Sequence, residues 1–120
     1  MKDKIIAALE PIDKNIFYGA VTEKDFQMMQ SADCIIVATD DIKRKDISSK
    51  DLIFTYNIFI VRENYIPEEL ILNVIYALES IPGLRLANQS NPFEYLPKGK
   101  TSVVLETVML GFTRTVKRCS

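Results

Sequence analysis

The chain is 120 residues long, 48% hydrophobic and 26% charged, with a formal net charge of -1 and no histidine. That length fits one domain over residues 1–120, with a core that holds without disulfides or metal. The balanced charge excludes a global attraction to nucleic acid or acidic lipid, and the missing histidine removes the commonest general base and metal ligand.

The segment Met1 to Leu9 reads as a short amphipathic helix, with Ile5, Ile6 and Leu9 at helical spacing and Pro11 as its stop. It lacks the small-residue cleavage site of a signal peptide. Asn15 to Val21 is rich in β-branched and aromatic residues and predicts a strand, with Gly19 as a bend. Thr22 then caps one or two helical turns, with Asp25 completing a weak capping box.

A second strand begins at Cys34. It runs into a charged segment, Asp40 to Lys50, expected to be a solvated hairpin loop, with the strand continuing into Ile42 as the other reading. The run from Leu52 alternates. Leu52, Phe54, Tyr56, Ile58 and Ile60 share one face, while Ile53, Phe59 and Val61 lie on the other with Thr55 and Asn57.

The clearest helix spans Pro67 to Ser80. Pro67 suits its first position, and Glu68 and Glu69 suit the positive end of the helix dipole. Leu70, Val74, Ile75 and Leu78 form its stripe, widened by Ile71, Leu72 and Ile81, and Pro82 with Gly83 ends it. A short strand, Leu84 to Ala87, precedes a polar loop over residues 88–100 that carries Phe93, Tyr95 and Leu96. One long strand, Thr101 to about Lys117, closes the chain, with Val104, Glu106, Val108, Leu110, Phe112, Arg114 and Val116 on one face. The order predicts an α+β fold: a mixed or antiparallel β-sheet with one main helix and a short N-terminal helix packed on it.

Candidate chemistry is sparse. Cys34 lies among Ile35, Ile36 and Val37, without the base or positive charge that makes a thiolate, and reads as a buried structural thiol. Cys119 offers it no disulfide framework, so a reduced intracellular setting is expected. Asp40 and Asp41 sit beside Lys43, Arg44 and Lys45, which favours a solvated turn over a cation site needing several oxygen ligands. Lys98 and Lys100 flank Gly99 in a stretch that lacks both the spacing and the following helix of a phosphate loop. The basic end, with Arg114, Lys117 and Arg118, reads as an exposed strand end. Phe93 and Tyr95 leave two readings: they fold back onto the core, or they meet a partner. No catalytic residue, cofactor or metal is expected. The pattern is that of a protein that works by assembling.

Several stretches carry a resemblance. They are FIVRENYIP (Phe59 to Pro67), VIYALESIPGLRLA (Val74 to Ala87) and YLPKGKTSVVLETVMLGFTR (Tyr95 to Arg114). With Phe17 to Gly19 and the strand of Asp33 and Ile35 to Val37, they resemble tail terminator, or tail-completion, proteins of long-tailed phages and prophages of Gram-positive bacteria. The family commonly has tryptophan before Asp or Asn where this chain has Ala32 before Asp33. The resemblance implies a virion structural protein, present in the host cytoplasm during assembly and in the tail neck afterwards. It implies a homo-oligomeric ring, typically a hexamer, that caps the tail tube, stops its polymerisation and docks to the head connector. Its partners would be further copies of itself, the major tail tube protein and a connector or head-closure protein, with DNA only passing through the lumen and no membrane contact. A head-closure ring of the neck, or a small adaptor domain unrelated to phage, are the alternatives. The expected interfaces are the hairpin residues Asp40, Asp41, Lys43, Arg44 and Lys45, and the loop residues Phe93, Tyr95, Lys98 and Lys100.

Overall fold

The computed structural model describes residues 1–19, 32–98 and 102–117. In chain order its elements are helix α1 (Lys2–Leu9), strands β1 (Ile16–Tyr18), β2 (Cys34–Arg44) and β3 (Leu52–Glu63), helix α2 (Glu68–Glu79), and strands β4 (Leu84–Leu86), β5 (Phe93–Pro97) and β6 (Val104–Val116). Among the described residues the fold is α+β, a mixed six-stranded sheet with α1 and α2 on one face. No helix among the described residues is long and apolar enough to cross a membrane.

The strands run in the order β1-β2-β3-β6-β4, with β5 also paired to β6. β1 lies parallel to β2, and every other pair is antiparallel. β3 is hydrogen-bonded to β6 from Leu52 opposite Val116 to Glu63 opposite Leu105. The far edge of β6 is shared by two short strands. Leu84 to Leu86 covers Arg114 to Phe112, and Phe93 to Pro97 covers Val108 to Val104. Between them, Ala87 N–H donates to Gly111 O at 2.7 Å, Gly111 N–H to Asn91 Oδ1 at 3.0 Å and Met109 N–H to Pro92 O at 3.1 Å. A side chain at position 111 would meet the amide end of Gln89, an exposed and flexible side chain able to swing aside.

The alternation read from β3 holds. Tyr56, Ile58 and Ile60 enter the main core with Ile35, Val37, Val108, Leu110 and Phe112, beneath Ile5 and Leu9 of α1 and Val74 and Leu78 of α2. The opposite face carries a smaller cluster of Ala32, Cys34, Val61 and Leu105, edged by Phe17 and Ile36. α1 ends at Leu9, with Glu10 as its C-cap just before Pro11, as expected. After α2, Gly83 takes a φ of +86°, a left-handed turn that glycine enters without strain. Asn64 takes a φ of +74° after β3, and its N–H is held by Val104 O at 2.8 Å.

Several expectations need correction. The segment Asp40 to Lys50 is not all loop. β2 continues to Arg44, pairing Ile42 with Phe54 and Arg44 with Leu52, because a bulge at Asp40 lets the ladder resume. The region 88–100 is not all loop either. Phe93 to Pro97 is strand β5, whose β-favouring aromatics outweigh its flanking prolines; on an edge strand the missing N–H of Pro97 costs nothing. β1 is shorter than expected: it stops at Tyr18, before Gly19 with its φ of +87°, while Ala20 and Val21 lie outside the described residues. β6 begins at Val104 rather than Thr101. Leu72 does not join the buried stripe of α2; it is 46% exposed. The expected helical turns after Thr22, and positions Thr101, Lys100 and Arg118, lie outside the described residues.

Leu78 and Leu72 make a controlled pair, since both sit on α2 but only Leu78 is fully buried. Leu78→Ala should lower unfolding free energy by about 2–5 kcal/mol through lost burial and the cavity left behind. Leu72→Ala should change it by less than about 0.5 kcal/mol. Denaturant melts of the two variants check this.

Candidate functional site

The expected hairpin residues form a projecting arm. Asp40 is the bulged residue, left out of the ladder between Thr39 and Asp41. Asp41 pairs with Thr55 and Lys43 with Ile53, and every residue from Asp40 to Ser48 is exposed. The tip is stapled from within. Lys45 N–H donates to Asp51 O at 3.0 Å, and Arg44 Nη1 to Ser49 O at 3.1 Å. Asp46 Oδ1 accepts both the N–H and the hydroxyl of Ser48 at 2.9 Å, and these bonds hold its carboxyl below the ordinary range. Asp46 is therefore spent on the turn, as an Asx cap. At the apex Ile47 is 99% exposed, an isoleucine with no intramolecular packing to account for it.

The second expected group is divided. Phe93 and Tyr95 sit on β5 opposite Val108 and Glu106, so both point to the helix-bearing face of the sheet. They remain 48% and 63% exposed and do not fold back into the core. Glu106 anchors this corner: its carboxylate accepts Ile66 N–H at 2.6 Å and the Tyr95 hydroxyl. That hydrogen bond, with the charge of Glu106, raises the Tyr95 phenol above its ordinary value. Lys98 is instead engaged by the Glu63 carboxylate, and its N–H donates to Val103 O at 3.0 Å, tying the end of β5 to the approach to β6. Lys100 lies outside the described residues.

A polar knot that the sequence did not announce lies at the end of the sheet away from the arm. Arg62 Nη2 meets Asp13 Oδ2 at 2.9 Å with both side chains largely buried, and its Nη1 donates to Val61 O at 2.9 Å. Asp33 Oδ1 accepts Glu63 N–H at 2.9 Å, Glu63 Oε1 accepts Ala32 N–H at 3.0 Å, and Asp13 Oδ1 accepts Asn15 N–H at 2.9 Å. The Lys98 and Ala32 bonds hold Glu63 below the usual carboxyl range. A cleft of about 440 Å³ opens over this knot. Its charged groups are already matched to one another, so the arrangement locks together the α1–β1 connection, the start of β2 and the end of β3. The only hint in the sequence was the placing of Asp33 and Arg62 at strand ends. Cys34 lies beside the knot. Burial, reinforced by the negative charge of Asp13, pushes its thiol from 9.0 up to about 11, which suppresses the reactive thiolate.

Removing the guanidinium leaves Asp13 buried without a counter-charge. Arg62→Ala should therefore cost about 3 kcal/mol in a denaturant melt. The Tyr95 tie makes a separate prediction. Its folded-state phenol value is raised, so its contribution to stability is complete below the ordinary value of 10.0 and is lost as pH rises through the raised one. An alkaline absorbance titration should show Tyr95 ionising late, and Glu106→Gln should return it toward the ordinary value.

Compared with known proteins, the chain matches no family model and no curated protein.

Proposed function

We propose that this chain is a tail terminator: it assembles into a ring, most simply a hexamer, that caps the tail tube of a long-tailed phage, stops tube growth and docks the tail to the head connector. The observation that carries the reading is where exposed apolar side chains fall. Among the exposed large apolar side chains, Ile42 and Ile47 stand on the arm, while Leu72 and Tyr76 stand on α2 and Phe93 and Tyr95 on the helix-bearing face of β5; Tyr18, Tyr65, Leu96 and Val104 are exposed outside these two groups. Solitary domains expose apolar residues singly; two separated groups fit a protein with two contacts to make. The Cα atoms extend over 55 × 28 × 26 Å, a shape that gives the chain two distant ends. The resemblance of Phe59 to Pro67, Val74 to Ala87 and Tyr95 to Arg114 to tail terminators names a role for such a shape.

In this reading the ring contacts the major tail tube protein on one face and a connector or head-closure protein on the other. DNA passes through the lumen without sequence-specific contact, and the protein ends in the virion neck. Termination follows from complementarity on one face and mismatch on the other, with modest subunit contacts acting together.

Deleting the gene from its phage tests this. Electron micrographs of the lysate should show tails of variable, abnormal length beside filled heads that lack tails. Normal tails joined to heads would refute the reading. Free tails of normal length beside leaking heads would transfer the protein to head closure.

A further inference from the structure

The two exposed apolar groups also differ in charge and in position. From Asp40 to Asp51 the arm carries four basic and four acidic residues, but Asp40, Asp41 and Asp51 stand at its root, and toward the tip Lys43, Arg44, Lys45 and Lys50 face only Asp46, which is engaged by Ser48. α2 carries Glu68, Glu69 and Glu79 and no basic residue. Glu68, Leu72 and Tyr76 follow one another at four-residue spacing, so they form a single line along the helix. Leu72 and Tyr76 on that line are exposed, and Glu68, Ile71 and Leu72 border a shallow depression of about 140 Å³. Tyr95 lies close to the start of this helix, because its hydroxyl and Ile66 N–H share the Glu106 carboxylate.

The arm cannot reach this surface within its own chain. β3 leaves the arm at Leu52 and ends at Glu63, just before α2 begins at Glu68. Its run of extended residues covers roughly 40 Å. The tip and the acidic start of α2 therefore sit at opposite ends of the molecule.

We infer that the arm of one copy docks on α2 of a second copy. Ile47 seats against Leu72 and Ile71, and Lys43, Arg44 and Lys45 face Glu68, Glu69 and the tyrosine rings nearby. The contact joins different surfaces of the two copies, so it is heterologous; repeated, it closes into a ring or runs on as a filament. This deepens the proposed ring and rests on its premise of self-assembly. The basic tip steers the encounter, and the apolar residue at its apex supplies the buried contact.

Cross-linking tests the contact on the full chain. In a Cys119→Ser background, Ile47→Cys and Leu72→Cys are introduced singly and together; both sites are exposed, and Cys34 is buried. Under mild oxidation, a mixture of the two single variants should give a disulfide-linked heterodimer. The double variant should give a ladder on a non-reducing gel. Sedimentation velocity should show that Lys43→Glu with Lys45→Glu, which leaves the Arg44 staple of the turn intact, weakens self-association roughly tenfold or more. Adding Glu68→Lys with Glu69→Lys should restore it. Efficient dimers from Ile47→Cys alone would mean tip-to-tip pairing and overturn the contact. Rings in sedimentation without any Ile47–Leu72 cross-link would overturn the contact and leave the ring standing. A monomer at millimolar concentration with no cross-link would overturn both.

Discussion

Strand β6 has two edges, and the rest of the architecture depends on how they are filled. One edge is taken along almost its whole length by β3. The other is divided between β4 and β5, and the chain from Ala87 to Pro92 bonds to the backbone of β6 at the join. A long edge left open exposes a row of unpaired N–H and C=O groups and invites uncontrolled pairing. Filling it with two short strands moves the sheet edge out to β5, which is exposed throughout, brief, and interrupted by proline. The same arrangement places α2, which lies between β3 and β4 in the chain, across the sheet. There Val74 and Leu78 cover Val108, Leu110 and Phe112, each large apolar side chain contributing about 1.5–3 kcal/mol by burial.

The two ends of the sheet are built by opposite means. At one end, charges are paired with one another: Arg62 with Asp13, and Glu63 with Lys98. That end is consolidated by short links among β1, β2, β3 and the approach to β6. At the other end, β2 and β3 run past the helices as an arm held by backbone pairing and by side-chain bonds confined to its turn. Charges at the first end are consumed internally. Most charges at the second end face solvent, where an isolated pair adds little to stability but a cluster still shapes the encounter with a partner.

The sequence made the core legible because burial writes a period into it. The two-residue alternation of Tyr56, Ile58 and Ile60 and the helical stripe of Val74 and Leu78 both mark the face that the structure buries. Where that period was absent, the reading drifted. Asp40 to Arg44 looked like a loop because the arm is solvated and its residues are mostly charged; the pairing there comes from the backbone, which carries no compositional mark. Phe93 to Pro97 looked like a loop because both flanks hold proline, and only the partner β6 makes it a strand. Leu72 matched the helical stripe by type but not by angle. The polar knot was illegible because its members, Asp13, Asp33, Arg62 and Glu63, are far apart in sequence or unremarkable in type. What joins them is the topology that brings the start of β2 beside the end of β3.

A head-to-tail contact places a demand on the arm that a symmetric contact does not. Each added copy repeats the same rotation, so the angle between successive copies decides whether the assembly closes and after how many. A flexible arm would spread that angle and give a mixture of sizes. This arm is constrained at both ends. Its turn is fixed by Arg44 on Ser49 and Ser48 on Asp46, and its base is fixed by the ladder between β2 and β3. Between the two lies the bulge at Asp40, the point where the register shifts and where a bulge increases local twist. At this height β3 is still paired with β6, Thr55 with Thr113 and Leu52 with Val116, so the bulge twists the β2 edge while β6 backs the arm as far as Leu52 and stiffens it further.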